Sequence, residues 1–189
     1  MTEIVGILLA AGSSRRFGAP KLLHPLHDGV PVAAAAAKAL IQVLPNTLAV
    51  VKPGDHVLIE LLTELGLHIV ENPLADEGLG TSLAAGVNTA MQADGWLIML
   101  ADMPWIQPTT ISALADRLNN GASIVAPVYA GRRGHPVGFS SRWLHPLSDL
   151  SGDKGARDLI VDNPDALELL ATEDSGVLKD VDFPHDLSR

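Results

Sequence analysis

Cysteine is absent from the 189 residues, which excludes disulfides and thiol chemistry. Lysine and arginine are absent between Lys52 and Arg117, so positive charge is confined to the opening segment and the second half. A formal net charge of −9 argues against broad nucleic-acid binding, since a phosphate-tracking surface needs a basic stripe. No apolar run is long enough to span a bilayer, and the N-terminus places an acid before its short apolar run and bases after it, the reverse of a secretory signal. The expectation is a mature, soluble, cytoplasmic protein with no membrane and no nucleic acid among its partners. The seven histidines form no metal-spaced helical cluster, which argues against zinc, and no Gly-x-Ser-x-Gly elbow supports a nucleophilic serine. Internal repeats, low-complexity tracts and heptad arrays are missing too.

What is present points to an α/β protein. Apolar residues make up 47% of the chain and no linker divides it, so one domain over residues 1–189 is expected. Ile4 to Leu9 is a nearly continuous aliphatic run, as in a parallel strand buried on both faces. It stops at Gly12, Ser13 and Ser14, which suit anion binding by backbone amides and hydroxyls, and Arg15, Arg16 and Lys21 supply countercharge. The glycine spacing fits neither a Walker loop nor a dinucleotide fingerprint. Helix and strand then alternate. Helices are predicted over Val32 to Leu44, His56 to Leu65, Leu83 to Gln92 with Thr81 or Ser82 as cap, and Pro108 to about Asn119. Strands are predicted over Thr47 to Val51, Leu67 to Val70, Gly95 to Leu100 and Ser123 to Ala126, and Pro136 to Ser140 can pair antiparallel. Tyr129 to Arg133 reads as a polar turn, Trp143 to Leu147 and Gly155 to Val161 as short helices, and Leu167 to Leu170 and Val177 to Val181 as late strands. A short helix follows Pro184. This order implies a doubly wound, mainly parallel sheet whose ligands bind beyond the carboxyl ends of the strands.

Asp102 follows the apolar strand GWLIML and so stands at that edge, a metal-ligand position, although a strand-end Asp taken alone is more often a turn or cap residue. KDVDFPHDL places further acids near the other end of the chain, and one Mg²⁺ held by substrate phosphates needs only Asp102 and one partner from there. Strand alternation would put Val181 and Phe183 inward and Asp180 and Asp182 together on the other face, so spacing does not choose between the two acids. GRRGHP and GDKGAR set fixed charge between glycines, which suits a phosphate or polar heterocycle and equally a solvated hairpin and a helix start capped by Asp153.

The segments LAAGSSRRFGAPK, EGLGTSLAAG, LADMPWI, GRRGHPVGFS, SGDKGARDL and DVDFPHDL, in register from Leu9 to Leu187, closely resemble the MobA-like molybdenum cofactor nucleotidyltransferases, the cytidylyltransferase branch being nearest. The resemblance implies a three-layer Rossmann-like nucleotidyltransferase fold with a small antiparallel portion. It also implies transfer of CMP from CTP, with Mg²⁺, onto a molybdopterin-type phosphate with release of pyrophosphate. The family loop falls on Leu9, Ala10, Ala11, Gly12, Ser14, Arg16, Phe17, Gly18 and Lys21, of which Arg16 and Lys21 would hold the triphosphate. Catalytic duty would rest on Arg16, Lys21 and Asp102, and metal ligation on Asp102 and Asp182. The base would be read by the backbone from Ala10 to Gly12 and by Gly80, Thr81 and Ser82. Ala11 favours CTP, because LAAG goes with cytosine and LAGG with guanine in this family. The pterin would lie against Arg132, Arg133, Gly134, His135 and Pro136, with Gly152, Asp153 and Arg157 nearby, and a molybdoenzyme or its maturation chaperone would be a further partner. VVKPGDH departs from the family's VVTG-like stretch, and His24 stands where an apolar residue is commoner. The alternatives are guanylyl transfer to the same pterin, a non-catalytic carrier, and cytidylyl transfer to methylerythritol phosphate. The last is disfavoured by ADMP where that group carries a His-Asp-Ala-Ala-Arg-like segment.

Overall fold

The computed structural model describes residues 3–12 and 17–188. Its central strand is β1 (Ile4–Leu9), every residue of which is buried. It pairs in parallel with β2 (Thr47–Val51) on one side and β4 (Gly95–Leu100) on the other, and β3 (His68–Glu71) extends the sheet beyond β2. Such a strand has no solvent face, which is why IVGILL runs unbroken instead of alternating with polar residues.

Alternation still decides which side chain meets which layer. Ile4 and Leu8 of β1, with Leu97 and Met99 of β4, pack under the helices α1 (Val32–Ile41), α2 (His56–Glu64) and α4 (Pro108–Asn119). Val5, Ile7 and Leu9, with Trp96 and Ile98, pack under α3 (Leu79–Thr89), α5 (Leu144–Ser148) and α6 (Arg157–Asp162). The result is the expected three-layer arrangement. Each fully buried aliphatic side chain contributes about 1.5–3 kcal/mol before chain entropy is set against it. Among the described residues, no helix is long and apolar enough to cross a membrane.

The rest of the sheet is β5 (Ile124–Tyr129), β6 (Arg132–Arg133), β7 (Val137–Ser140) and β8 (Leu167–Ala171). The strand order is β3-β2-β1-β4-β7-β5-β6, with β8 parallel to β5. Among the described residues, only β7 and β6 run against the others. Because β7 is antiparallel to β4, with Val137 opposite Ile98, it presents its beginning at the edge where β4 presents its end. The GRRGHP run is thereby delivered to the carboxyl edge.

Three local expectations are corrected. The third helix starts at Leu79, so Thr81 and Ser82 lie inside it and do not cap it. Its start is set by backbone packing: Gly78, at φ 121°, and Gly80 lie so close to the Ser151–Asp153 backbone that a Cβ at Gly80 would stand 2.6 Å from the Ser151 carbonyl oxygen. The Gly80 N–H donates to the Gly152 carbonyl at 2.8 Å. Second, Val177 to Val181 is no strand. Ser175–Leu178 forms a tight 3₁₀ turn, and Phe183 is 42% exposed instead of turned inward. Third, the polar turn at Tyr129 to Arg133 is a β5–β6 hairpin with only Ala130 and Gly131 between the strands.

One buried carboxylate ties that C-terminal turn to the sheet edge. Asp174 is 6% exposed; its Oδ2 accepts from the Gln107 amide at 2.9 Å and the Thr110 hydroxyl at 2.8 Å, and its Oδ1 accepts from the Gly176 amide at 2.9 Å. The helix α4 has no side-chain cap from Gln107 itself. Asp174 supplies an acceptor to that N-terminus from 67 residues away, where a negative charge also suits the helix dipole.

Candidate active site

The backbone leaving β1 continues the ladder beyond the strand: the Ala10 amide donates to Val50 O at 2.8 Å and the Ala101 amide to Leu9 O at 3.0 Å. This fixes Ala11 and Gly12 at the edge, where with Leu9 they line a cavity of about 400 Å³. The opposite wall comes from Gly78, Leu79 and Ser82, and Asp102 and Asp153 reach it from either side. Lys52 and Asp76, which form an ion pair, complete it.

Ala10, Gly80 and Thr81 are buried and do not line this cavity. The Thr81 hydroxyl lies 2.8 Å from Leu74 O and 2.9 Å from Gly78 O, so its proton is used within the protein. Asn72, 4% exposed, donates to Thr81 Oγ1 at 3.1 Å and to Ser82 Oγ at 3.0 Å. Since Ser82 accepts that bond, its own O–H can donate into the cavity.

Beside Asp102 lies a compact charged centre. Lys21 begins a 3₁₀ turn between buried Phe17 and Leu22, and its Nζ lies 2.7 Å from Asp102 Oδ2 and 3.4 Å from Asp182 Oδ1. Residues from the first loop, the end of β4 and the C-terminal segment therefore meet at one ammonium. The Val181 amide donates to Asp102 O at 2.9 Å, which sets the C-terminal segment against that strand end. Asp102 Oδ1 is buried and unpartnered. An orphaned carboxylate oxygen beside a second carboxylate is a donor set that suits a hard divalent cation completed by phosphate and water. Among the described residues no group of three or more His, Cys, Asp or Glu forms a self-sufficient metal cage. Partial burial lifts the Asp180 carboxyl above the usual carboxylate range, and the charges of Asp102 and Asp182 add to the effect.

A second cavity, about 260 Å³, lies across Leu9, Leu79 and Leu100 from the first. Its apolar floor includes Ile98, Val137 and Phe139, and its polar groups are Arg133, His135, Lys154 and Arg157. Of the residues predicted to meet an acceptor, Arg133, His135 and Arg157 converge here, Asp153 faces the first cavity, and Arg132 is exposed on β6. Ser14 and Arg16, together with Ser13 and Arg15, lie outside the described residues.

His135 Nδ1 is buried without a partner. Burial first, and then the Arg133 charge, push its pKa from 6.5 down to about 4, against the pull of Asp180. The ring is thus neutral in the fold at pH 7. Above pH 6.5 neither state takes up a proton at this site and the fold keeps its full stability. Between pH 6.5 and about 4 the unfolded chain protonates first, so stability falls, by on the order of 3 kcal/mol in all. Denaturant unfolding across that range should be steeper for the parent than for His135→Gln, and parallel curves would contradict this.

Asn72, Lys52 and Asp76 escape sequence reasoning as site residues, whereas Leu79 lies within the EGLGTSLAAG segment singled out there. Of those three, Lys52 left a signal, as part of the VVKPGDH stretch that departs from the family pattern.

Comparison with known proteins gives the family and the fold. Residues 6–167 match the family model described as the MobA-like NTP transferase domain, a span that includes Lys21 and Asp102 and ends before Asp182. The purine catabolism protein PucB of Bacillus subtilis is 31% identical over 97% of this chain and 93% of its own length. The molybdenum cofactor cytidylyltransferase of Escherichia coli is 26% identical over 98% of this chain and 94% of its own. Rv0371c of Mycobacterium tuberculosis superimposes with a TM-score of 0.85 at 30% identity, covering 100% of this chain and 96% of its own, and is also known in complex with manganese. A parallel sheet ending in a backbone loop, a lysine and a carboxylate at its edge, and a family match over most of the chain make this protein a member of the MobA-like NTP transferase family, with its α/β nucleotidyltransferase fold.

Proposed function

We propose that the protein, acting as a single nucleotidyltransferase domain, transfers CMP from CTP to a molybdopterin-type phosphate and releases pyrophosphate. The observation that carries this reading is the meeting of Lys21, Asp102 and Asp182 beside two adjoining cavities, one walled by backbone and small residues and one apolar with a basic rim. The first suits a nucleoside triphosphate. The second suits a planar heterocycle that bears a phosphate, held by Arg133, Arg157 and the neutral His135. Asp102 and Asp182 would hold Mg²⁺, which when bound offsets the charge of the phosphates.

In the reaction an acceptor phosphate oxygen forms a bond to the α-phosphorus in line, and the bond from that phosphorus to the bridging oxygen breaks, carrying the electron pair away on pyrophosphate. A terminal phosphate is a competent nucleophile at neutral pH, so the chain need supply no general base. Its residues position the two substrates and offset developing charge, with Lys21 and Arg16 on the triphosphate. Base choice rests on Ala11, whose methyl narrows the cavity where a glycine would admit a purine, and on the Ser82 hydroxyl. The E. coli relative named as a cytidylyltransferase supports this choice. The client is a molybdoenzyme or its maturation chaperone.

A panel of CTP, GTP, ATP and UTP with Mg²⁺ tests the nucleotide. At a hundredfold excess over Kd, CTP should raise Tm by about 5–10 °C, more than any other member. A larger shift with GTP would overturn the role of Ala11. Pyrophosphate release from CTP with molybdopterin or its metal-loaded form tests the reaction, and CTP binding without release for any acceptor would point to a carrier.

A further inference from the structure

We propose that Asp186 is the positioning residue for Asp182, holding the turn that aims the second carboxylate at the cation. This rests on the reading of Asp182 as a metal ligand. Asp182 belongs to neither strand nor helix, and its side chain is 32% exposed. A ligand on such a segment needs its backbone fixed by other means. On one side Val181, fully buried, donates its amide to Asp102 O. On the other, Asp186 is 8% exposed, and its Oδ2 accepts from the amides of Asp182 at 3.1 Å and Phe183 at 2.8 Å. Stacking of the Phe183 and His185 rings, centroids 5.4 Å apart, stiffens the outer face of the same turn.

One carboxylate oxygen thus gathers the amide of the ligand residue and the next amide, and fixes the direction in which Asp182 leaves the backbone. Two peptide groups left without an acceptor would open the turn while β4 and its Asp102 stayed in place. The effect is specific to the cation. Loss of Asp186 lowers metal affinity and raises the Mg²⁺ needed for half-maximal rate, and saturating Mg²⁺ recovers kcat. A merely structural defect would instead lower Tm in the absence of metal.

The test is titration of Mn²⁺ alone into the full chain, with the unbound ion followed by electron paramagnetic resonance and Tm recorded for each protein. Asp186→Ala should weaken Mn²⁺ binding about 10- to 100-fold while keeping a cooperative unfolding transition. Asp186→Asn, whose amide oxygen can accept the same two bonds, should stay within about threefold of the parent. Parent-like affinity in Asp186→Ala, with weak binding in Asp182→Ala, would overturn the positioning role and leave the metal reading intact. An Asp186→Asn loss equal to that of alanine would also overturn it, since the bonds would then not be what matters. Unchanged binding in Asp182→Ala would remove the metal reading, and this inference with it.

Discussion

Asp102→Ala should lower pyrophosphate release by on the order of 10³-fold, the largest kinetic effect of any single side chain among the described residues. Asp102 is the nearer partner of Lys21, at 2.7 Å against 3.4 Å for Asp182, and the one whose second oxygen is buried without a partner. Truncation removes half of the carboxylate pair and leaves an ammonium whose side chain is only 11% exposed facing the farther acid. The loss of its nearer partner also costs stability, about 1–3 kcal/mol for a partly buried group still paired with Asp182. Asp102→Asn separates the two effects. The amide oxygen still accepts from Lys21 and fills the same volume, so stability should largely recover while activity stays low. The carbonyl that receives the Val181 amide belongs to the backbone and survives both substitutions. Initial rates with CTP and the pterin phosphate decide the matter: more than a tenth of parental activity in Asp102→Ala would refute this role.

The largest loss of stability should come from a residue outside the charged centre. Asp174→Ala strands the Gln107 amide, the Thr110 hydroxyl and the Gly176 amide in one stroke. At about 1–3 kcal/mol for each buried donor, reduced where water can enter, the sum is about 3–5 kcal/mol. For a chain of this size that lowers Tm by about 6–20 °C. The exposed pair of Lys154 and Asp158 is the matched control, since removing Lys154 there should change stability by less than about 1 kcal/mol. A melting curve for Asp174→Ala within about 2 °C of the parent would show that the carboxylate is dispensable.

What could be read from the chain beforehand follows from the range of the forces involved. Runs buried on both faces announce themselves, so IVGILL and GWLIML mark β1 and β4 and place Asp102 at the binding edge. The helix α4 is legible as well, because proline at its first turn and its apolar spacing are local signals. The start of α3 is not, because it is decided by backbone contact with Ser151–Asp153, more than seventy residues on. Val177 and Val181 resemble a strand by composition, but the Asp174 carboxylate draws in the Gly176 amide and turns the chain there. The choice between Asp180 and Asp182 is beyond any period-two argument. Asn72 escaped because its importance lies in two hydroxyls that it orients, and nothing in its own neighbourhood shows that.

The centre formed by Lys21, Asp102 and Asp182 also has a place in the order of synthesis. Lys21 is 81 residues from Asp102 and 161 from Asp182, so its contacts are among the most non-local in the chain. Contacts of such separation form after local helices and neighbouring strands, once the entropy of closing the long loops has been overcome. Because residue 182 is synthesised eighty positions after Asp102, a nascent chain that has assembled β1 and β4 still lacks one of the two carboxylates. The parallel strands can therefore be in place before the site is, and premature termination anywhere before residue 182 leaves a sheet without its second acid.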